Sequence, residues 1–185
     1  MKWLEELYEA GKLRAIGISN FYPDRLIDLA SFARIRPMVN QVGTHPYNQQ
    51  VLAKEYMDKY GVQIEAWAPF GEGRGGLFED PALLEIGAKY QKTAAQVMLR
   101  WHIERGVAVI PKSTHYERMM ENFNVFDFTL SAEDMEKIAG LDKKESSFFP
   151  IMTRRWSSGS FRLWKNVKRI MTAGKSVKIG KGRER

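Results

Sequence analysis

Cysteine is absent from the 185-residue sequence, and histidine occurs only three times. Disulfide bonds and thiolate metal centres are therefore excluded, and the composition fits a reducing compartment such as the cytoplasm. No apolar run approaches the roughly 20 residues that a membrane-spanning helix needs. The first segment, MKWLEELYEAGKLR, is amphipathic and rich in acidic residues, which is typical of neither a signal peptide nor a transit peptide. These absences predict a soluble cytoplasmic protein.

Acidic residues are scarce in only one part of the chain. Residues 150–185 contain 11 Lys and Arg side chains and one acidic residue, Glu184. The preceding 149 residues contain 18 basic and 21 acidic side chains, so the net charge of +7 arises entirely in the last part of the chain. The charge pattern predicts a mildly acidic globular body, residues 1–149, followed by a strongly basic tail, residues 150–185.

The sequence does contain a regular alternation of short apolar runs and helical patterns, which continues to about residue 140. Strands followed by helices pair in parallel through right-handed crossovers. Nearly continuous apolar strands further predict that both faces of the sheet are covered. Two architectures fit this pattern, a small doubly wound sheet and part of a (β/α)8 barrel. The predicted strands are residues 13–18, 38–42, 62–67 and 107–110, and the predicted helices include residues 3–10, 49–60, 81–90, 93–105, 116–123 and 132–139.

Polar and aromatic side chains gather where the predicted strands end, in the segments GISNF, VNQV, AWAPFG and IPKS. Each has an ordinary structural explanation. Asn40 and Gln41 could be buried amides that the backbone satisfies, and Trp67 could belong to the core. Lys112 and Arg118 could form a solvated basic face. Because ligands of parallel α/β folds bind at the carboxyl ends of the strands, four such ends in one sheet favour a shared binding site.

Three longer segments carry a resemblance to a known family. GKLRAIGISNF, VNQVGTHPYNQQ and IPKSTHYERMMENF, in this order and spacing, resemble the aldo-keto reductases, and the similarity extends from about residue 2 to residue 149. The resemblance implies a TIM barrel whose strands five to eight are the four predicted here. The expected fold is therefore α/β, the C-terminal half of a (β/α)8 TIM barrel, with the barrel incomplete.

The resemblance also implies that NADPH binds along the strand ends. Ser19, Asn20 and Gln41 would hydrogen-bond the nicotinamide carboxamide, and Trp67 would stack on the nicotinamide ring. The backbone of residues 68–72 would line the pyrophosphate. The implied cofactor-binding residues are Ser19, Asn20, Gln41, Trp67, Ala68, Phe70, Gly71, Glu72, Lys112, Ser113, Arg118, Glu121 and Asn122.

The last five of these residues would recognise the adenosine end of the cofactor. The resemblance implies that Lys112, Ser113 and Arg118 hold the 2′-phosphate, where charge-assisted hydrogen bonds favour NADPH over NADH. It also implies that Glu121 and Asn122 reach the adenine and its ribose.

The family reduces aldehydes and ketones to alcohols by hydride transfer, with a tyrosine as general acid that a lysine, an aspartate and a histidine assist. These four residues lie in the first half of the family's barrel, and none of the tyrosines here falls at a matching position. No catalytic residue is assigned, and the chain is expected to be inactive on its own. The alternatives are an NADPH-binding module without turnover and an interaction protein that uses the basic tail.

The histidines do not predict a metal site. His45 falls in the segment THPYNQ, which matches a structural position of the family. His102 and His115 lack acidic or cysteine partners at metal-ligand spacing. The implied partners are NADPH and a small carbonyl substrate, without a metal.

Residues 150–185 depart from the family pattern, which stops after KKESSFF. We expect this tail to be disordered. A shifted reading frame would explain this departure. One of the DNA sequences that the genetic code allows for the residues from Pro150 onward, read one nucleotide earlier, encodes Ser-His-Tyr-Asp-Pro, which is close to the usual continuation of the family. Alternatively, Trp156, Phe161 and Trp164 among the basic residues could contact nucleic acid or an anionic membrane.

Half of a barrel would leave two sheet edges open. The strand that begins near Leu13 and the strand at residues 107–110 would present unpaired backbone groups beside apolar side chains. Such edges pair with other chains, so we expect self-association rather than a stable monomer.

Overall fold

The computed structural model describes residues 1–144. The predicted disorder of the tail, its shifted reading frame and its binding to nucleic acid or an anionic membrane all lie outside the described residues. The described part contains α1 (Lys2–Glu9), β1 (Gly17–Ser19), α2 (Pro23–Phe32), β2 (Val39–Gly43), α3 (Val51–Tyr60), β3 (Gln63–Trp67), two 3₁₀ turns (Gly71–Gly73 and Leu77–Glu79), α4 (Pro81–Tyr90), α5 (Ala94–Glu104), β4 (Ala108–Val109), α6 (Tyr116–Phe123) and α7 (Ala132–Ala139).

The four strands form one parallel sheet in the order β1-β2-β3-β4, which confirms the predicted parallel α/β class. The longest ladder joins β2 to β3, where Val39 pairs with Gln63 and Gly43 pairs with Trp67. Each crossover moves to the next strand in the same direction. A doubly wound sheet reverses its strand order, whereas a barrel does not, so this order favours consecutive barrel strands.

The edges of the sheet, within residues 1–144, are β1 and β4. The prediction that the first strand begins near Leu13 is wrong, because β1 comprises only Gly17–Ser19. β4 is also shorter than predicted and comprises Ala108–Val109. The carbonyl oxygen of Ile16 nevertheless accepts a hydrogen bond of 2.8 Å from the Met38 amide. Self-association through these edges stays a prediction.

Helices α2 and α3 cover one face of the sheet. Strand side chains alternate between faces, so every second residue of β2 and β3 projects toward these helices. The result is a continuous apolar layer between sheet and helices. Its buried members are Leu26, Val42, Ala53, Met57, Val62, Ile64, Ala66 and Val107.

The opposite face of the sheet is polar, so the prediction of two apolar, covered faces is wrong. Ser19 is exposed there, and Gln41, Glu65 and Trp67 are half-buried. The alternation is visible along β3, where Ile64 and Ala66 are buried and the residues between them are not. Among residues 1–144, only one side of this sheet is therefore packed as core.

A second core lies among α4, α5 and α7, after the glycine-rich loop. The side chain of Ser131 accepts from the Asp134 amide and forms a capping box, which confirms the predicted start of α7. None of the helices formed by residues 1–144 is long and apolar enough to cross a membrane. The buried residues of this core are Leu77, Leu83, Ile86, Ala94, Val97, Met98, Trp101, Leu130 and Ile138.

Two histidines are buried in the described part of the chain. The side chains of His45 and His102 are 1% and 0% exposed, and this burial is consistent with the structural role that stays a prediction for His45. Burial lowers the pKa of His45 to about 4, although the charge of Asp142 opposes the shift. Burial, followed by the positive charge of Arg105, lowers the pKa of His102 to about 3. Both imidazoles are therefore neutral in the folded chain at pH 7.

We predict that the folded chain loses stability as the pH falls from 6.5 toward 4. The unfolded chain protonates these histidines near pH 6.5, whereas the folded chain resists protonation until about pH 4 at His45 and about pH 3 at His102. At about pH 5 each histidine should lower the free energy of unfolding by about 2 kcal/mol, and urea unfolding at several pH values measures this loss. His102→Gln should reduce the change in stability with pH. His115→Gln, a substitution at an exposed position, should leave that change as it is in the parent. Equal slopes for all three proteins would contradict the prediction.

Gly87 of α4 lies against the turn that leads to α5. A methyl group at this position would lie 2.4 Å from the carbonyl oxygen of Lys92. Gly87→Ala should therefore lower the free energy of unfolding by about 1–3 kcal/mol, despite the better helix propensity of alanine. Gly140→Ala is the matched control, because Gly140 has a helical φ of −65° and its nearest neighbour would lie at 3.4 Å. The midpoints of urea unfolding of the parent and the two variants measure the difference in stability. A Gly87→Ala protein that is more stable than the parent would contradict the expected clash.

Candidate functional site

The carboxyl ends of β1, β2 and β3 bring four of the predicted residues together. Asn20 Nδ2 donates to Ser19 Oγ at 2.9 Å, and Ser19 Oγ donates to the backbone oxygen of Gln41 at 3.1 Å. Trp67 Nε1 donates to Asn20 Oδ1 at 2.9 Å. These contacts connect three successive strands, and we call Ser19, Asn20, Gln41 and Trp67, together with Glu65, the strand-end network.

Glu65 is the member of this network that sequence reasoning missed. Gln41 Nε2 donates to Glu65 Oε1 at 2.5 Å, and the two residues are partners in the β2–β3 ladder. The signal was present in the sequence. Glu65 stands between the apolar Ile64 and Ala66 in a strand, and alternation alone places it on the face opposite the core.

Asn40 has a structural role, although it directly precedes Gln41. It is completely buried, its Nδ2 donates to the Phe21 carbonyl at 2.9 Å, and its Oδ1 accepts from the Phe21 amide at 3.3 Å. The explanation as a buried amide satisfied by backbone is thus confirmed for Asn40. It is wrong for Gln41, whose amide bonds the carboxylate of Glu65.

Gly43 determines where Trp67 lies. A methyl group on Gly43 would lie 2.9 Å from Cζ2 and 3.1 Å from Cε2 of the indole. The ring therefore lies directly against the backbone of β2, an approach that a glycine in a strand permits. Trp67 is half-buried on the polar face and is not a core side chain.

The turns at this end of the sheet have an unusual backbone. Asn20, Ala68 and Glu72 have φ values of 56°, 51° and 55°, a left-handed conformation that is uncommon outside glycine. The Gly71 amide donates to the Ala68 carbonyl at 2.9 Å and closes the turn after β3. The half-buried ring of Phe70 packs against Phe78 with centroids 5.6 Å apart and lies against the second core. Such conformations cluster at ligand sites.

The remaining predicted residues form a second group, which follows β4. Lys112 and Arg118 are exposed, and neither forms an ion pair with another residue between 1 and 144. Ser113 Oγ accepts from the His115 amide at 3.1 Å. The backbone oxygen of Glu121 accepts from Gln96 Nε2 at 3.2 Å and helps to hold α6 on α5. Asn122 is half-buried.

Two tyrosines are hydrogen-bonded to carboxylates outside the strand-end network. Tyr47 Oη donates to Asp80 Oδ2 at 2.6 Å, and burial together with this carboxylate raises the pKa of Tyr47 to about 12. Tyr90 Oη donates to Asp134 Oδ2 at 2.5 Å. Within residues 1–144 there is also no group of three or more His, Cys, Asp or Glu side chains that could hold a metal ion.

Sequence comparison finds relatives over most of this chain. The aldo/keto reductase family model matches residues 1–143. Aldose reductase C of Dictyostelium discoideum is 44% identical over 148 residues, which cover 80% of this chain and 46% of that protein. Glyoxal reductase of Bacillus subtilis is 47% identical over 142 residues, which cover 77% of this chain and 51% of that protein. The chain thus spans about half the length of these relatives.

Solved structures agree with the sequence relatives. An aldo-keto reductase from a deep-sea metagenome library of the Medee basin superposes with a TM-score of 0.79 at 40% identity, over 84% of this chain and 58% of that one. A Bombyx mori aldo-keto reductase in complex with NADP superposes with a TM-score of 0.74 at 32% identity, over 80% of this chain and 50% of that one. Because the family model matches residues 1–143 and the solved structures superpose on about four-fifths of the chain, the resemblance is confirmed, and this chain belongs to the aldo/keto reductase family.

Proposed function

We propose that this chain is the cofactor-binding half of an NADPH-dependent oxidoreductase that reduces aldehydes or ketones to alcohols. The observation that carries the proposal is the strand-end network, which joins Ser19, Asn20, Gln41 and Trp67 across three successive strands. Two relatives have the names aldose reductase and glyoxal reductase, and a third holds NADP. The unidirectional strand order supports four consecutive strands of a (β/α)8 barrel, and the family resemblance assigns them to strands five to eight.

A primary carboxamide fits the hydrogen-bonding capacity that the network leaves unused. Asn20 Nδ2 donates one of its two hydrogens to Ser19, so the second can be donated to a ligand. Gln41 Nε2 donates one hydrogen to Glu65, and no residue between 1 and 144 donates a hydrogen bond to Gln41 Oε1. A carboxamide needs a donor for its oxygen and an acceptor for its NH₂ group. The nicotinamide of NADPH presents such a group.

Trp67 would hold the nicotinamide ring by stacking, since flat aromatic rings favour offset contact. Its position against Gly43 and its hydrogen bond to Asn20 fix the indole before a ligand arrives. When bound, the reduced nicotinamide supplies the hydride for the carbonyl carbon. The role of Trp67 and Asn20 in this proposal is to orient the ring.

The rest of the cofactor would extend along the strand ends. The left-handed turns at Ala68 and Glu72, with Phe70 and Gly71 between them, would place backbone groups beside the pyrophosphate. Lys112, Ser113 and Arg118 would bind the 2′-phosphate, and Glu121 and Asn122 the adenosine. Lys112 and Arg118 suit this role because neither is neutralised by a described acidic residue.

We predict that Lys112→Ala and Arg118→Ala each weaken NADPH binding roughly ten-fold and leave NADH binding nearly unchanged. Only NADPH offers a 2′-phosphate to these cations. Titration of tryptophan fluorescence gives both dissociation constants. Lys59→Ala is the matched control, because it removes one exposed positive charge on α3. Equal losses for both nucleotides would show that the phosphate binds elsewhere.

We expect the 185-residue chain alone to oxidise no NADPH above background with glyoxal or an aldose. No tyrosine has been assigned as the proton donor, and loss of a general acid typically lowers the rate about 10²–10⁴-fold. The absorbance of NADPH measures turnover, and the binding titration shows in parallel that the site is formed. Turnover that follows the protein through purification and is lost in Trp67→Ala would contradict the expectation.

A further inference from the structure

Glu65 places a carboxylate beside the residue that faces the ligand in the proposed function. Glu65 Oε1 lies 2.5 Å from Gln41 Nε2, and the two residues pair in the parallel ladder. Both side chains are half-buried on the polar face. The contact is thus fixed by backbone register as well as by the hydrogen bond itself.

The chemistry of this pair is asymmetric. A glutamine amide has a donor end and an acceptor end, and the two ends exchange by a half-turn of the amide. An ionised carboxylate accepts hydrogen bonds and donates none. Beside Glu65, only the NH₂ end of Gln41 can make the observed contact, and Oε1 must point away from the carboxylate. A neutral amide or hydroxyl at position 65 could donate or accept and would permit both orientations.

We propose that Glu65 is a positioning residue, which locks the amide of Gln41 with its oxygen toward the ligand and so selects a primary carboxamide over other substituents at the same ring position. The inference rests on the proposed function, since it requires the pyridine ring of the cofactor at the strand-end network. A locked Oε1 accepts from the NH₂ of a carboxamide. It has no partner in an acetyl group, which has a carbonyl oxygen but no N–H.

The test compares two reduced cofactors that differ only in this group, NADPH and its 3-acetylpyridine analogue. The full chain should bind NADPH roughly five-fold more tightly, the effect of one hydrogen bond. In Glu65→Gln this ratio should fall toward one, because the freed amide of Gln41 can present either end. Both ligands carry the same ring charge, so the loss of the carboxylate charge cancels from the ratio.

Two further proteins and one further ligand complete the experiment. Glu65→Thr, whose hydroxyl can donate and accept and whose β-branched side chain suits a strand, should behave like Glu65→Gln. Glu55→Gln, an exposed position on α3, removes the same charge and should keep the parent ratio. 2′,5′-ADP lacks the pyridine ring, and its unchanged affinity shows that each variant is folded.

The outcomes separate the two proposals. A parent ratio near one, or a ratio that both Glu65 variants keep while NADPH and 2′,5′-ADP still bind, overturns the role of Glu65 and leaves the proposed function intact. Failure of the parent chain to bind any of the three nucleotides overturns the proposed function, and the role of Glu65 with it. A ratio that falls only in the Glu65 variants supports the inference.

Discussion

The parallel register of β2 with β3 is the constraint from which both the core and the candidate site follow. It directs Val42, Ile64 and Ala66 toward α2 and α3, and it directs Gln41 and Glu65 to the opposite face as partners. Side chains alternate strictly along a strand, so a slip by one residue would exchange the two faces. The apolar layer under the helices therefore stabilises the geometry of the polar network on the other side.

The network also shows how polar groups are accommodated at the strand ends. Asn40 is buried and uses both ends of its amide on the backbone of Phe21, which ties the end of β1 to β2. Asn20 has a left-handed backbone, and its side chain bonds both Ser19 and Trp67. Conformations of this kind persist only where surrounding contacts hold them, and here those contacts come from three different strands.

The two groups of candidate residues differ in their degree of preorganisation. At the strand-end network, the side chains of Asn20, Gln41 and Trp67 are already oriented by neighbours. After β4, Lys112 and Arg118 are exposed and have no ion-pair partner among residues 1–144. In the proposed function the first group orients the reacting ring, and the second contributes charge for affinity. Preorganised groups lose little conformational entropy on binding, whereas flexible cations act mainly through their charge.

The sequence by itself determined the alternation of strand and helix, the family, and the helices at residues 81–90, 116–123 and 132–139, because caps and apolar periodicity are local signals. It also identified Ser19, Gln41 and Trp67 as residues at the ends of strands. Only the tertiary structure decided that Gln41 bonds Glu65 and that Trp67 lies against Gly43. These features depend on register between strands about two dozen residues apart, and no local pattern specifies which residues a ladder will pair.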